Sequence, residues 1–230
     1  MKEIRKKAEA LKEQMIQDRR YLHQIPELGM DLPQTSAYIK KRLDEMGIMW
    51  QDCGCDMPEK LTRDFIEAGF PEMKKVTGVT AVIGSGKPCI LLRADMDALP
   101  IQEENDLPFA SKNGCGHMCG HDSHAAMLLG AAAILKSMES ELCGTVKLMF
   151  QPGEETGAGA RLMVQSGVLK NPDVDAALGI HIYSNRTVGE VTYSKGINSA
   201  SLDTYIVKIK GQGGHSSQPH LCIDPLMIMN

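Results

Sequence analysis

A chain of 230 residues, 43% of them hydrophobic, can bury a sizeable core and leaves room for a second, smaller unit. Its 25 basic and 29 acidic residues give a net charge of -4 and are dispersed rather than blocked, which excludes the basic footprint of a nucleic-acid binder. The charged opening MKEIRKKAEALKEQMIQDRR has no apolar run of the export-signal kind, and no later stretch is apolar enough to span a bilayer, so a cytoplasmic protein without a membrane partner is expected.

Ile4, Ala8, Leu11 and Met15 fall on one stripe of an amphipathic helix. A turn follows at His23–Glu27, and a second helix is predicted from about Thr35 or Ser36, with Ile39, Leu43 and Met46 on its buried face and a stop at Gly47. Residues 50–75 show no clean period beyond a short helical stretch near Leu61–Ala68. Val79–Ile83, the turn Gly84–Pro88 and the run Cys89–Leu92 predict a hairpin whose second strand is fully buried and leads into Arg93-Ala94-Asp95-Met96-Asp97.

After a polar, Gly-rich loop, Ser123–Ser137 has the Ala, Leu and Met content of a helix buried on most of its surface. Val146–Phe150 predicts a strand, Ala158–Gln165 a helix, and Ala176–His181 a third buried strand. This alternation points to an α/β fold with a mostly parallel sheet and helices on both faces. Beyond Gly196 the alternating Thr204–Ile209 and a Gly-rich turn holding His215 suggest the opening of an α+β unit. The expected organisation is therefore a catalytic domain over 1–197 and the start of a second domain over 198–230.

Each apolar strand ends in acids or histidine: Asp95 and Asp97, then Glu154 and Glu155, then His181. Ligands of open α/β sheets collect at the carboxyl ends of strands, so these residues are candidates for one site. Between them runs Gly114-Cys115-Gly116-His117-Met118-Cys119-Gly120-His121-Asp122-Ser123-His124, unusually dense in metal-ligand types. Cysteine and histidine suit zinc and related transition metals, and carboxylates add the harder oxygens of manganese or a two-metal site. A structural zinc knot of Cys115, His117, Cys119 and His121 alone is the competing reading. The seven cysteines are odd in number and irregularly spaced, as in reduced thiols, so a special cysteine should be a ligand or a nucleophile. In an extended loop Glu154 and Glu155 would point in different directions, one to a metal and one to substrate.

RADMDALP (Arg93–Pro100), CGHD (Cys119–Asp122), MLLGAA (Met127–Ala132), FQPGEE (Phe150–Glu155), GIH (Gly179–His181) and GGHSSQPH (Gly213–His220) occur in that order. Together they resemble the metallopeptidase-20 family, in particular its hippurate hydrolases, N-acyl-amino-acid amidohydrolases and auxin-conjugate hydrolases; His23–Gly29 is similar to the family's HxxPELG segment. The resemblance implies metal-dependent hydrolysis of N-acyl amino acids by a metal-activated water, with two divalent ions, zinc or manganese before nickel or cobalt. It makes Cys119, His121, Glu155 and His181 metal ligands, with Cys119 bound as thiolate. It makes Glu154 the general base, Asp97 a support of the metal site and His215 a residue of a second domain that reaches the active site of a partner subunit in a homodimer. Family members are longer and return to supply another histidine ligand, so the chain is expected to be incomplete. Two rival readings are a non-catalytic metal binder and a dipeptidase or carboxypeptidase of the same fold. A Ser or Cys hydrolase is a third, and no Gly-x-Ser-x-Gly elbow supports it.

Overall fold

A computed structural model describes residues 2–197, 200–201, 205 and 207–229 and divides into two compact units, Met1–Glu190 and Val191–Asn230. In the first unit the opening stripe forms two helices, α1 (Lys2–Ala10) and α2 (Lys12–Gln24), separated by a single turn residue, Leu11. No residue of α1 is buried, so the stripe becomes a core face only in α2.

Helix α3 (Pro33–Glu45) starts with proline in its first turn, where the missing N–H costs nothing. Glu27 lies across that start and accepts hydrogen bonds from the backbone N–H groups of Gln34 (3.1 Å) and Thr35 (2.8 Å), a carboxylate matched to the positive end of the helix. The other end closes as a Schellman motif: Gly47, at φ +65°, donates to the carbonyl of Asp44 and Ile48 to that of Leu43. Leu43 and Ile48 then share one core.

The sheet contains β1 (Trp50–Asp52), β2 (Val79–Ser85), β3 (Cys89–Asp95), β4 (Gly144–Gln151) and β5 (Ala176–Gly179) in the order β1-β2-β4-β3-β5. Strands β4, β3 and β5 run parallel, and β1 and β2 add an antiparallel flank. The parallel portion carries the α/β character; the sheet as a whole is mixed. The expected hairpin is absent, because β4 lies between β2 and β3 and pairs with both. The connecting turn wraps the start of β4: Thr145 donates from its backbone to Pro88 and from its hydroxyl to Gly86. Gly144, at φ +135°, fits under the turn because it has no Cβ; one there would lie 2.4 Å from the Pro88 carbonyl oxygen.

Alternation along β4 separates two cores. Leu148 and Phe150 face α2, α3 and α5 (His121–Ser137), while Met149 joins Met30, Met73, Leu162 and Met163 on the face covered by α6 (Gly159–Gln165). Full burial of each such side chain contributes about 1.5–3 kcal/mol. Residues 50–75 find their role here, since they supply β1 and α4 (Glu59–Glu67), whose Leu61 and Phe65 pack on the second core. Lys147 shares that second face, and its ammonium donates to the carbonyls of Val168, Lys170 and Pro172 at 2.7–3.0 Å.

Strand β5 departs from expectation: all four residues are exposed, with Leu178 59% accessible. It is the sheet's edge, and no described element covers its faces, so an apolar composition there does not translate into burial. None of the described helices is long and apolar enough to cross a membrane.

In the second unit Gln212 and Ile223 form an antiparallel bridge, with a 3-10 turn at Pro219–Leu221 and a short α7 (Pro225–Met229). The expected strand Thr204–Ile209 falls partly on residues outside those described. Its described members, Tyr205 and residues 207–209, are not in a strand.

Candidate metal centre

Three parallel strands deliver their carboxyl ends to one rim. Strand β3 ends at Asp95 with Asp97 just beyond, β4 leads through Gln151 to Glu154 and Glu155, and β5 leads to His181. Helix α5 starts at the same rim. Gly120, at φ +86°, makes the left-handed turn into it, and its first turn holds His121, Asp122 and His124, all buried. Of these polar groups, His124 bonds to Asp95 at the rim (2.5 Å) and Asp122 to His23 of α2 (2.8 Å).

His121 is wholly buried, with Nδ1 3.5 Å from Asp97 Oδ1. Its Nε2 lies 3.8 Å from Glu155 Oε1, 3.9 Å from Glu154 Oε2 and 3.7 Å from Asp95 Oδ2. Cys119 Sγ lies 3.4 Å from His181 Nε2. The ligand atoms of Cys119, His121 and His181 lie within 4.8 Å of one another, as do those of His121, Glu154 and Glu155. The negative charge of Glu155 also acts on the Cys119 thiol. The structure therefore brings together Cys119, His121, Glu154, Glu155 and His181, from segments up to 62 residues apart.

The two glutamates do not diverge as an extended loop would make them. Residues 154–157 form a turn, and Asp97 pins its start by accepting from the backbone N–H groups of Glu154 (3.0 Å) and Glu155 (3.1 Å). Both carboxylates consequently approach the same imidazole. Burial, and then the charge of Glu155, pushes the Cys119 thiol up to about 12. Without added positive charge this cysteine is therefore protonated at neutral pH, and the expected thiolate requires a cation. Burial also raises Glu155. His121 is raised as well: burial opposes this, but the Asp97 carboxylate facing its Nδ1 and the charges of Asp95 and Glu154 prevail.

This donor set fits a metal. His121 Nε2 and Glu155 Oε1 are buried without a hydrogen-bond partner, and they converge with a thiol and a second imidazole. Buried polar atoms normally find partners, so a convergent set of unpaired ones is suited to a cation. Sulfur and imidazole ligands beside carboxylates favour zinc and neighbouring transition metals over magnesium. Among the described residues the clusters able to share an ion include neither Cys115 nor His117, which argues against the compact zinc knot. His117 is buried, and burial holds it down to about 4, hence neutral. His215 lies in the second unit, where it hydrogen-bonds Ser217 (2.8 Å).

Sequence reasoning missed the groups behind this rim. His23, at the end of α2, bonds Asp122 (2.8 Å) through Nδ1 and Glu103 (3.1 Å) through Nε2, while Arg19 pairs with Asp122 (2.8 Å). The hydrogen bond to Asp122, aided by Glu103, raises His23 against the cost of burial. Glu103 is held down at about 2: burial acts upward, but bonds from His23, the Ser111 N–H and Asn105 outweigh it. The only advance signal was His23 itself, within the HxxPELG resemblance.

A family model described as Peptidase family M20/M25/M40 matches residues 91–226. N-acetyl-L-cysteine deacetylase of Bacillus subtilis is 42% identical over 220 residues, covering 94% of this chain and 48% of that protein. IAA-amino acid hydrolase ILR1-like 5 of Arabidopsis thaliana is 40% identical over 215 residues, covering 93% and 44%. The crystal structure of a Bacillus subtilis protein described as a dinuclear metal binding peptidase from M20 family superposes with a TM-score of 0.65 at 40% identity, covering 79% of this chain and 46% of that one. The chain thus spans about half the length of these relatives.

Proposed function

Since the chain belongs to peptidase family M20/M25/M40, we propose that its protein hydrolyses the amide bond of N-acyl amino acids with Glu154 as general base beside a two-metal centre. The observation that carries this reading is the convergence of Cys119, His121, Glu155 and His181, with the Glu154 carboxylate 3.9 Å from His121 Nε2. When bound, divalent cations, zinc or manganese by the donor chemistry, supply the positive charge that polarises an acyl carbonyl and acidifies the attacking water.

The chain's own residues do the rest. Cys119, His121, Glu155 and His181 hold the ions. Glu154, whose side chain is 38% exposed, faces the open side of the rim, takes the proton of the attacking water and passes it to the departing amine. Asp97 fixes the turn that aims both glutamates. We assign His215 to stabilisation of the developing oxyanion in a cytoplasmic homodimer; the family resemblance supports that assignment.

The test measures metal content and hydrolysis of benzoyl-, acetyl- and indoleacetyl-amino acids by wild type and Glu154→Gln. The variant should retain its metal and lose about 10²- to 10⁴-fold in kcat, the usual worth of a positioned base. Hydrolysis that survives chelation, or a Glu154→Gln variant with full activity, would overturn the reading.

A further inference from the structure

Helix α5 carries a second buried histidine one turn after His121, and the proposed mechanism leaves it unused. Both nitrogens of His124 are committed. Nδ1–H donates to Asp95 Oδ1 (2.5 Å), and Nε2 accepts from the backbone N–H of Ile182 (3.0 Å). Asp95 is itself anchored by Arg93 (2.7 Å), which also donates to Gln151 (2.9 Å).

The far end of this chain of bonds is the segment that carries His181. Residues 180–183 lie past the end of β5, outside the sheet ladder. The Ile182 side chain rests over Gly120, where a Cβ would fall 2.4 and 2.8 Å from its Cδ1 and Cγ1. His181 Nδ1–H donates to the carbonyl of Ile182 (2.6 Å), which leaves the Nε2 lone pair directed at Cys119. Hydrogen-bonding one imidazole nitrogen selects the tautomer that ligates through the other.

We infer that His124 is a positioning residue: a latch on α5, braced by Asp95, that holds the Ile182 peptide and through it orients His181 toward Cys119. This rests on the metal-centre reading. Asp95, His121 and His124 also lie close enough to suggest a separate ion site. Their bonding opposes that, since one nitrogen of His124 carries its proton and the lone pair of the other is occupied by Ile182. A single helical turn thus presents one ligand directly and sets a second from a distance.

The experiment uses the whole protein with His124→Leu, His124→Gln, His124→Asn and, as control, His181→Ala. Two readouts apply: imidazole nitrogen shifts of His181 by NMR in metal-free protein, and Co²⁺ titration followed by the thiolate-to-cobalt absorption of Cys119. In wild type His181 should be a single Nδ1–H tautomer. His124→Leu should mix the tautomers and weaken Co²⁺ by about 10- to 100-fold, as lost outer-sphere support typically does. His124→Gln should stay close to wild type, because its side-chain carbonyl reaches the Nε2 position and accepts the Ile182 N–H. If His124→Leu does not fold, His124→Asn decides, since it can still donate to Asp95 but is too short to reach Ile182, and it should behave as described for Leu. Wild-type tautomer and Co²⁺ affinity in Leu or Asn would overturn the latch. So would a Gln variant as impaired as those, the result expected of a direct ligand. Unchanged Co²⁺ binding in His181→Ala would instead sink the metal-centre reading, and the metal-free NMR comparison would judge the latch alone.

Discussion

Asp97→Asn is the most informative conservative change at the rim. The carboxylate accepts two backbone N–H groups with separate oxygens, Oδ1 from Glu154 (3.0 Å) and Oδ2 from Glu155 (3.1 Å). An amide offers only one oxygen, so in either orientation its NH₂ group confronts a peptide N–H. One charge-assisted bond, worth about 1.5–3 kcal/mol, is lost and the other drops to neutral strength, a combined cost of about 2–4 kcal/mol. For a unit of this size that corresponds to a fall in Tm of roughly 5–10 °C. The turn carrying Glu154 and Glu155 would relax, and His121 would lose the acceptor facing its Nδ1, so metal affinity should fall about 10- to 100-fold. Calorimetric titration of metal-free protein with Zn²⁺, paired with thermal melts followed by circular dichroism, measures both effects. If Asp97→Asn melts and binds Zn²⁺ like wild type, the claim that Asp97 organises the turn is wrong.

Three further outcomes are expected. Because Cys119 is pushed up to about 12, metal uptake at neutral pH should expel its proton, and Cys119→Ser should release one proton fewer when Zn²⁺ titrations are compared in buffers of different ionisation enthalpy. Lys147→Met should destabilise the protein by about 2–3 kcal/mol in urea unfolding, since the buried carbonyl of Val168 and the part-buried carbonyls of Lys170 and Pro172 lose a charged donor and only the latter two can turn to water; a cost below about 1 kcal/mol would contradict that bonding. In the His23 cluster, the raised imidazole stabilises fully below its ordinary 6.5 and loses this as pH rises through its folded value. Depressed Glu103 stabilises fully above 4.5 and loses this as pH falls toward about 2. The Tm difference between metal-free wild type and His23→Gln should therefore be largest between about pH 4.5 and 6.5 and shrink on both sides.

What could be read in advance follows from the range of the interactions involved. Helix α3 was legible from Ile39, Leu43 and the Gly47 stop because periodicity and end-capping are local. The rim was legible because strands that lead into Asp97, Glu155 and His181 bring those residues to one end when they run parallel as neighbours. The insertion of β4 between β2 and β3 was not, since adjacent apolar runs joined by a short turn look the same whether or not a third strand separates them. The exposure of β5 also lay beyond composition, because burial depends on what covers a strand. The aim of Glu154 and Glu155 depended on Asp97, more than fifty residues earlier, and the bond between His23 and Asp122 spans 99 positions. Motif order hinted at such pairs without specifying them.

Strand β5 touches the sheet along one side only, through four pairings with β3 from Ile90–Ala176 to Arg93–Gly179, yet it delivers a proposed ligand. An ion bridging Cys119 and His181 would then act as a clasp on an edge strand that has a neighbour on one side only. Its binding energy would be withdrawn whenever that strand detached, so occupancy and attachment would rise and fall together. Loss of metal would register first as proteolytic nicking near residues 180–183, well before the inner strands gave way.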